Sequence, residues 1–308
     1  MADGNEIVVV LCTRDGAPWL RAQLDSIAAQ TLPPARIIVS DDGSTDATRD
    51  VAAAFRDAWS GLVELHVGPG AGFAANFLSA LGRVPENAML TALSDQDDVW
   101  HADRLARAAA ALAPASDRPA LHGGATIVCD QGLKPLRLSR ITRVPLGFRH
   151  ALTQNFAGGN TMALNAPAMR LVRAAVRRGV RVPVHDWFLY QLVSGAGGRI
   201  TFDARPCLAY RQHGANQIGD AAGAYALLHR LRRMRRGDYR HWNDANLAAL
   251  DAVRDMLAPE HRAELDAVTD ARDGGLRARL RLMRDPGLYR QGLLGQLGLA
   301  SALALRRF

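Results

Sequence analysis

At 308 residues, 48% apolar and 22% charged, the chain has the balance of a globular protein, and large-scale disorder is excluded. No run of 18 apolar residues occurs, which excludes an ordinary transmembrane helix, and the acids of MADGNEIVVVL stand where a secretory leader would be basic. The net charge of +8 is carried by arginine, with Lys134 the one lysine; such a balance suits nucleic acid, an anionic membrane or a phosphorylated substrate without choosing among them.

In chain order, the first part alternates between apolar runs and helical patterns. EIVVVLCT (6–13) reads as a strand, 17–30 as a helix, and RIIVSDD (36–42) as a strand. A helix follows at 46–58 with Ser44 or Thr45 as its N-cap, then the strand LVELHVG (62–68), a helix at 73–83 and the strand AMLTAL (88–93). This alternation predicts βαβ units and a parallel sheet, and the near-continuous apolar runs predict helices on both of its faces. From 101 onward the pattern loosens: helix 102–113, strand 120–129, a loop-rich middle, strand 159–165, helices 166–178 and 186–195, and strand 199–210. This predicts a partly antiparallel continuation of the same domain. Arginine-rich helical segments then follow at 221–242, 243–257 and 259–283, ending in the apolar stretch 292–305. The expected division is an α/β domain at 1–220 and an arginine-rich helical region at 221–308. Cys12, Cys129 and Cys207 are too scattered for a disulfide framework or metal-ligand spacing, which points to a reducing, cytoplasmic compartment.

In an open parallel sheet, ligands sit beyond the carboxyl ends of the strands. Those ends carry CTRD (12–15), SDDGSTD (40–46), GPGAGFAANF (68–77) and SDQDD (94–98). Each alone is what a turn requires, but four converging on one edge exceed that need. GPGAGF departs from the dinucleotide fingerprint at Phe73 and follows the third strand rather than the first, and no Walker phosphate loop occurs.

Asp95, Asp97 and Asp98 repel one another unless something positive sits among them. A hard divalent cation, Mg²⁺ or Mn²⁺, suits such a cluster, because it binds through one or two carboxylates together with substrate phosphates. Ser94, Asp95 and Asp97 are also N-cap types for a helix running from 99, a role one acid fills and three exceed. Asp186, in HDW (185–187), has the alternatives of N-cap and general base. In AYRQHGANQIG (209–219), Arg211, Gln212, His213 and Asn216 follow a strand, and His213 alone is a weak candidate metal ligand.

Taken in order, the strand ending in Thr-Arg, then DDGSTD, GFAANF, SDQDDVW, HDW and YRQHGANQIG resemble family 2 glycosyltransferases of the GT-A fold, over roughly residues 5–220. The spellings SDQDD and YRQHGANQIG are most similar to the rhamnosyltransferase-type branch that builds bacterial surface polysaccharides. The resemblance implies an α/β GT-A fold with a mixed central sheet and a C-terminal helical extension. It places Thr13, Arg14, Asp41, Asp42 and Asn76 at the nucleobase and ribose of a nucleotide-sugar donor, dTDP or UDP. It makes Asp97 the metal ligand, with Asp95 nearer the ribose or sharing the metal, His213 completing the site, and Arg211 and Gln212 beside the diphosphate. Asp186 becomes the base that deprotonates an acceptor hydroxyl, which inverts the sugar in a single displacement. The loop NFAGGNTMALN (155–165), with Gly158, Gly159 and Asn160, falls on the acceptor side together with Trp187. The implied reaction moves a sugar, L-rhamnose from dTDP-rhamnose foremost and otherwise from a UDP- or GDP-sugar, to a growing polysaccharide or lipid-linked glycan.

Two other classes are weighed against this. A non-catalytic nucleotide-binding scaffold would lack the base or a metal ligand, and both are present. A nucleic-acid binder would need aromatic side chains on a basic face, and no such face is legible, so no nucleic-acid partner is expected. The segment LLHRLRRMRRGDYRHW (227–242) suits an anionic membrane surface, the inner face of the plasma membrane, against the plainer reading of a solvated helix. The stretch 292–305 is too short to span a bilayer and either lies on one or packs in a dimer, the oligomeric state being open.

Overall fold

The computed structural model describes residues 6–214 and 238–308. Its strands are β1 (Glu6–Thr13), β2 (Arg36–Asp41), β3 (Leu62–Val67), β4 (Ala88–Ser94), β5 (Val99–Trp100), β6 (Ala120–Gly124), β7 (Ile127–Cys129), β8 (Pro135–Leu138), β9 (Ala163–Asn165), β10 (Arg199–Asp203) and β11 (Leu208–Arg211). The helices are α1 (Ala17–Ala28), α2 (Thr48–Ala58), α3 (Phe73–Leu81), α4 (Arg104–Leu112), α5 (Phe148–Ala151), α6 (Ala166–Arg177) and α7 (His185–Gly195), then α8 (Asp238–Ala252), α9 (Pro259–Asp273), α10 (Leu276–Arg281) and α11 (Leu293–Ala304).

Seven strands form the main sheet in the order β10-β6-β9-β4-β1-β2-β3, and β5-β11-β7-β8 form a second, smaller one. The block β4-β1-β2-β3 is parallel, and β9 runs antiparallel between β4 and β6, so the central sheet is mixed. The register pairs Thr13 with Asp41 and Leu11 with Ser94, which brings the carboxyl ends of β1, β2 and β4 to one edge.

The apolar run of β1 is buried on both faces, and its parity divides the core. Val8 and Val10 join the cluster under α3, α6 and α7, while Ile7, Val9 and Leu11 join the one under α1, α2 and α4. With side chains alternating across a strand, an uninterrupted apolar run is what two covered faces require.

Two expected strands are each broken in two. The run 120–129 splits into β6 and β7, and 199–210 into β10 and β11. β10 pairs with β6 in the main sheet and β11 with β7 in the second, so both chains leave one sheet for the other at the same level. Cys207 N donates to Ala125 O and Ala125 N to Asp203 O, both at 2.9 Å, which holds this crossover. The strand expected at 159–165 is a 3-10 turn, Gly159–Thr161, followed by the short β9.

The capping expectations also change. Ser44 is turned onto the Asp41 carboxylate and Thr45 onto Asp15, so neither caps α2; Ala47 stands before the helix without a side-chain cap, and Asp46 Oδ1 accepts from Thr48 N at 3.0 Å. Residues 99–100 form β5, and α4 begins only at Arg104 with Asp103 before it, so none of Ser94, Asp95, Asp97 or Asp98 caps a helix.

The boundary expected at 220 falls outside the described residues, as do Asn216 and most of the basic segment 227–242. Among the described residues beyond it, the helices share the core of the α/β part. Leu250, Val253, Leu265, Val268, Leu299 and Leu303 lie in one apolar cluster with Phe148, Phe188 and Leu192. Among the described residues, no helix is long and apolar enough to cross a membrane.

Candidate active site

The loops after β1, β2, β3 and β4 meet at the carboxyl edge, and polar side chains stitch them together. Gln96 bridges two of them: its Oε1 accepts from Arg14 N at 2.8 Å and its Nε2 donates to Arg14 O at 2.9 Å. A Cβ at Gly16 would meet the Gln96 amide at 2.2 Å, so glycine there leaves the room this bridge occupies. Thr13 Oγ1 donates to Asp41 at 3.0 Å, and Arg49 Nε to the same carboxylate at 2.6 Å. Burial pushes Asp41 upward, but these bonds and those from Ser44 outweigh it and hold the group below the usual carboxylate range.

Several residues expected to touch a nucleotide are buried and hold the loops of the edge. Asp42, 3% exposed, accepts from Gly70 N at 2.7 Å and Gly72 N at 2.8 Å, so it folds the glycine loop around its own carboxylate. Both glycines need positive φ, 66° and 90°, to aim their amides there. Asn76, 1% exposed, exchanges hydrogen bonds with Ser40 at 2.6 and 2.9 Å. Arg211 is buried and gives Nε to Asp97 O at 2.9 Å and a terminal nitrogen to Gln131 O. Gln212 is fixed through its backbone, N to Cys129 O at 2.9 Å. The side chain of Arg14 is exposed at the mouth. Through these bonds Asp42, Asn76 and Arg211 shape the loops of the edge.

The acid cluster separates into three environments. Asp97 Oδ2 lies 2.8 Å from His213 Nε2, and the His213 ring stacks on Trp19 with centroids 3.9 Å apart. Asp98 is buried, accepts from Asn160 Nδ2 at 2.6 Å, and is pushed well above the usual range by burial and then by Asp97 and Asp95. Asp95 is also pushed up, by burial first and then by the charges of Asp97 and Asp186, against the pull of Arg104.

Arg104 is the cation that the sequence did not disclose. It lies under the cluster, 3.4 Å from the Trp100 ring, and donates to Leu93 O at 2.9 Å and Asn160 O at 2.6 Å. Burial lowers its pKa to about 10, with Asp98 and Asp95 among the groups opposing that, so it stays charged at neutral pH. A basic residue in the first turn of the helix after the acids was the available signal. Trp19 was equally open to notice, since the helix after CTRD begins at that same edge.

Asp186 occupies the first turn of α7, with Val184 rather than the acid at the cap. Its oxygens accept from Gly159 N at 2.9 Å and from Trp187 N at 2.6 Å. Burial raises its pKa to about 6, although those amides and Asn155 pull it down. Beside it His185 stacks on Phe77 at 4.0 Å, neither ring nitrogen has a hydrogen-bond partner among the described residues, and burial lowers its pKa to about 3, so it is neutral packing. A Cβ on Gly159 would meet His185 Nε2 at 2.7 Å and Asp186 Cβ at 3.1 Å, so the glycine-rich loop lies against the acid itself. Gly158 is exposed at that loop, whereas Asn160 points under the cluster to Asp98. Trp187, expected on the acceptor side, is buried and donates Nε1 to Ala151 O at 2.6 Å, so its ring anchors α7 to α5.

The edge therefore presents fixed carboxylates with an imidazole, and Asp186 with its raised pKa close enough to Asp95 for their charges to couple. The profile of Glycosyl transferase family 2 matches residues 7–179, more than half of the chain. The chain belongs to this family. This glycosyltransferase is 26% identical over 239 residues to the dTDP-rhamnosyl transferase RfbG of Shigella flexneri, covering 75% of this chain and 81% of that protein. It is 33% identical over 106 residues to an uncharacterized glycosyltransferase of Nostoc, about a third of each chain. Among solved structures, S. aureus TarS 1-349 in complex with UDP-GlcNAc superposes with a TM-score of 0.53 at 14% identity, covering 97% of this chain and 81% of that one. The mannosyltransferase PcManGT of Pyrobaculum calidifontis, in complex with GDP-Man and Mn²⁺, gives 0.50 at 18% identity over 98% and 85%. At such identities the superpositions establish the fold, a mixed α/β glycosyltransferase core with a helical C-terminal part.

Proposed function

We propose that this glycosyltransferase moves L-rhamnose from dTDP-rhamnose to a hydroxyl of a growing surface polysaccharide or lipid-linked glycan, with inversion. The observation that carries the reading is the nearness of two built features: the Asp97–His213 pair beyond the end of β4, and Asp186, held by two backbone amides and close enough to raise Asp95 by its charge. The 26% identity to a dTDP-rhamnosyl transferase over most of both chains supports the choice of donor.

A divalent metal fits the residues present. Asp97 and His213 offer an oxygen and a nitrogen donor 2.8 Å apart, beside the carboxylates of Asp95 and Asp98, with Arg104 buried under the cluster and Arg211 on the Asp97 backbone. Among the described residues no three His, Cys, Asp or Glu groups stand ready to hold an ion together, so Asp97 and His213 would hold it with Asp95 beside them. Mg²⁺ and Mn²⁺ commonly complete such sets with substrate phosphates. When bound, the ion supplies neutralisation of the charge that develops on the leaving diphosphate.

The chain's own residues account for the rest. Asp186 takes the proton of the acceptor hydroxyl as its oxygen attacks the anomeric carbon, and the bond to the diphosphate breaks on the opposite face. Gly159 N and Trp187 N fix the orientation of that carboxylate. Thr13 and Asp41 face the nucleoside end of the cleft, while Arg104 and Asn160 keep Asp98 and the acid loop in place.

The test is thermal denaturation of the full chain with dTDP-, UDP- and GDP-sugars, with and without Mn²⁺ or Mg²⁺. A ligand at 100 times its Kd stabilises by about 2.7 kcal/mol. Stabilisation by dTDP-rhamnose that requires the metal is expected. Stabilisation by a UDP- or GDP-sugar alone would reassign the donor, and nucleotide binding without any transfer would favour a scaffold.

A further inference from the structure

α11 has an unusual composition for a surface helix. LLGQLGLASALA contains no charged residue, yet only one side of it is covered. Leu299, Ala302 and Leu303 face the core, while Leu293, Leu294 and Leu297, on the opposite arc, are 77%, 84% and 55% exposed. Leu305 continues this face, and on α10, which packs against α11, Leu276 and Leu280 are also exposed. Isolated exposed leucines are ordinary; a helix apolar all round with one face open is not.

The charge around these leucines is mainly positive. Arg277, Arg281, Arg284, Arg306 and Arg307 are exposed, and the sequence from 274 to 308 contains a single acid, Asp285. A second copy of the chain seated here would set these arginines against themselves. An anionic bilayer would receive the leucines among its acyl chains and the arginines at its headgroups.

The start of α11 is also tied to the catalytic edge. Gln154 Oε1 accepts from Gln291 N at 3.1 Å, Arg290 Nε donates to Thr153 O at 2.7 Å, and the neighbouring Asn155 donates Nδ2 to Ala157 O at 2.8 Å in the loop whose Gly159 N donates to Asp186 at 2.9 Å. Gln291 in turn donates to Ile141 O at 2.8 Å. One segment, 153–159, thus runs from the start of the leucine helix to the acid.

We propose that the outer face of α11, with α10 beside it, is a membrane-docking surface that seats the protein on an anionic bilayer with Asp186 close to that surface. The docking stands on the leucines and arginines alone; that it presents a lipid-linked acceptor to Asp186 rests on the transferase reading above.

The experiment is flotation of the full chain, without nucleotide, with phosphatidylcholine vesicles and with vesicles also containing phosphatidylglycerol. Binding to the anionic vesicles, weakened by salt, is expected. Leu293→Glu with Leu294→Glu lowers the bound fraction at least tenfold while leaving the melting temperature and transfer to a water-soluble acceptor unchanged. Arg306→Gln with Arg307→Gln weakens binding and flattens its salt dependence. Equal flotation of the leucine variant overturns the proposal, as does equal binding to both vesicle types. A dimer that the leucine variant dissociates, with no vesicle binding by the parent chain, overturns it in favour of self-association. Flotation without sugar transfer leaves the docking intact and removes the transferase reading.

Discussion

At the scale of single residues, the two sides of the cleft are built differently, and substitutions should separate them. Asp186 has its carboxylate fixed by backbone amides, so Asp186→Asn keeps the shape and loses the base. Turnover should fall by about 10²–10⁴-fold with donor binding preserved, measured by transfer rate and by nucleotide-induced thermal shift. Since burial raises Asp186 to about 6, the base is ionised above that pH and protonated below it. Transfer should therefore rise through pH 6 and level off above it, and a flat profile between pH 5 and 8 would remove Asp186 from the proton transfer. Asp97→Asn should act oppositely, abolishing the metal-dependent part of donor binding, as read by titration of the donor with and without Mn²⁺. Gly159→Ala tests the geometry, because the new methyl would press on His185, which is stacked against Phe77 and has little room to yield. Lower turnover at unchanged donor affinity is expected, with the fold intact by circular dichroism.

At the scale of elements, the parallel half of the sheet was legible because its signal is local. Uninterrupted apolar runs, as in Val8–Leu11, and polar loops after each strand follow from burial on both faces. The acids, Asp186 and His213 were legible too, as residue types at strand ends and through the family resemblance. What was not legible depends on chain crossing. The apolar runs 120–129 and 199–210 carry no mark of the level at which both change sheets, since that level is set by their pairing with each other. Nor does sequence say which way a polar side chain turns. Asp42, Asn76 and Arg211 lie at the right edge yet satisfy backbone and side-chain partners inside it, and Arg104 reaches the acids from a helix that was read as following them. The loop-to-loop bridge by Gln96 is of this hidden kind. Gln96→Ala removes both bonds to Arg14 and leaves the β1 and β4 loops joined more weakly. The expected result is a several-fold rise in KM for the donor with kcat less affected; an unchanged KM would mean that the loops are held elsewhere.

At the scale of the whole molecule, the question is whether the C-terminal helices are an appendage or part of one folding unit. Composition changes near 220, and that change alone suggested a division. The apolar contacts among the described residues are grounds to expect one unit, which the variants below test. Leu250, Val253, Leu265 and Val268 are at most 2% exposed and share a cluster with Phe148 and Phe188, which carry the floor of α5 and α7. Arg149 Nε reaches Glu264 at 2.7 Å, and Ala258 N donates to Gly195 O at 2.8 Å, closing the end of α7. Removing these helices would uncover the side of α7 opposite the catalytic edge, and Asp186 is positioned by that helix's first turn. Truncation after residue 214 should therefore give a chain that does not melt cooperatively. The milder Leu250→Ala should destabilise the full chain by about 2–5 kcal/mol, read from denaturant unfolding followed at both ends of the molecule. If the two regions are one unit, both probes shift together. A truncated chain that melts at the temperature of the full protein and still binds the donor would restore two independent domains, with α8–α11 serving only as the seat on the membrane.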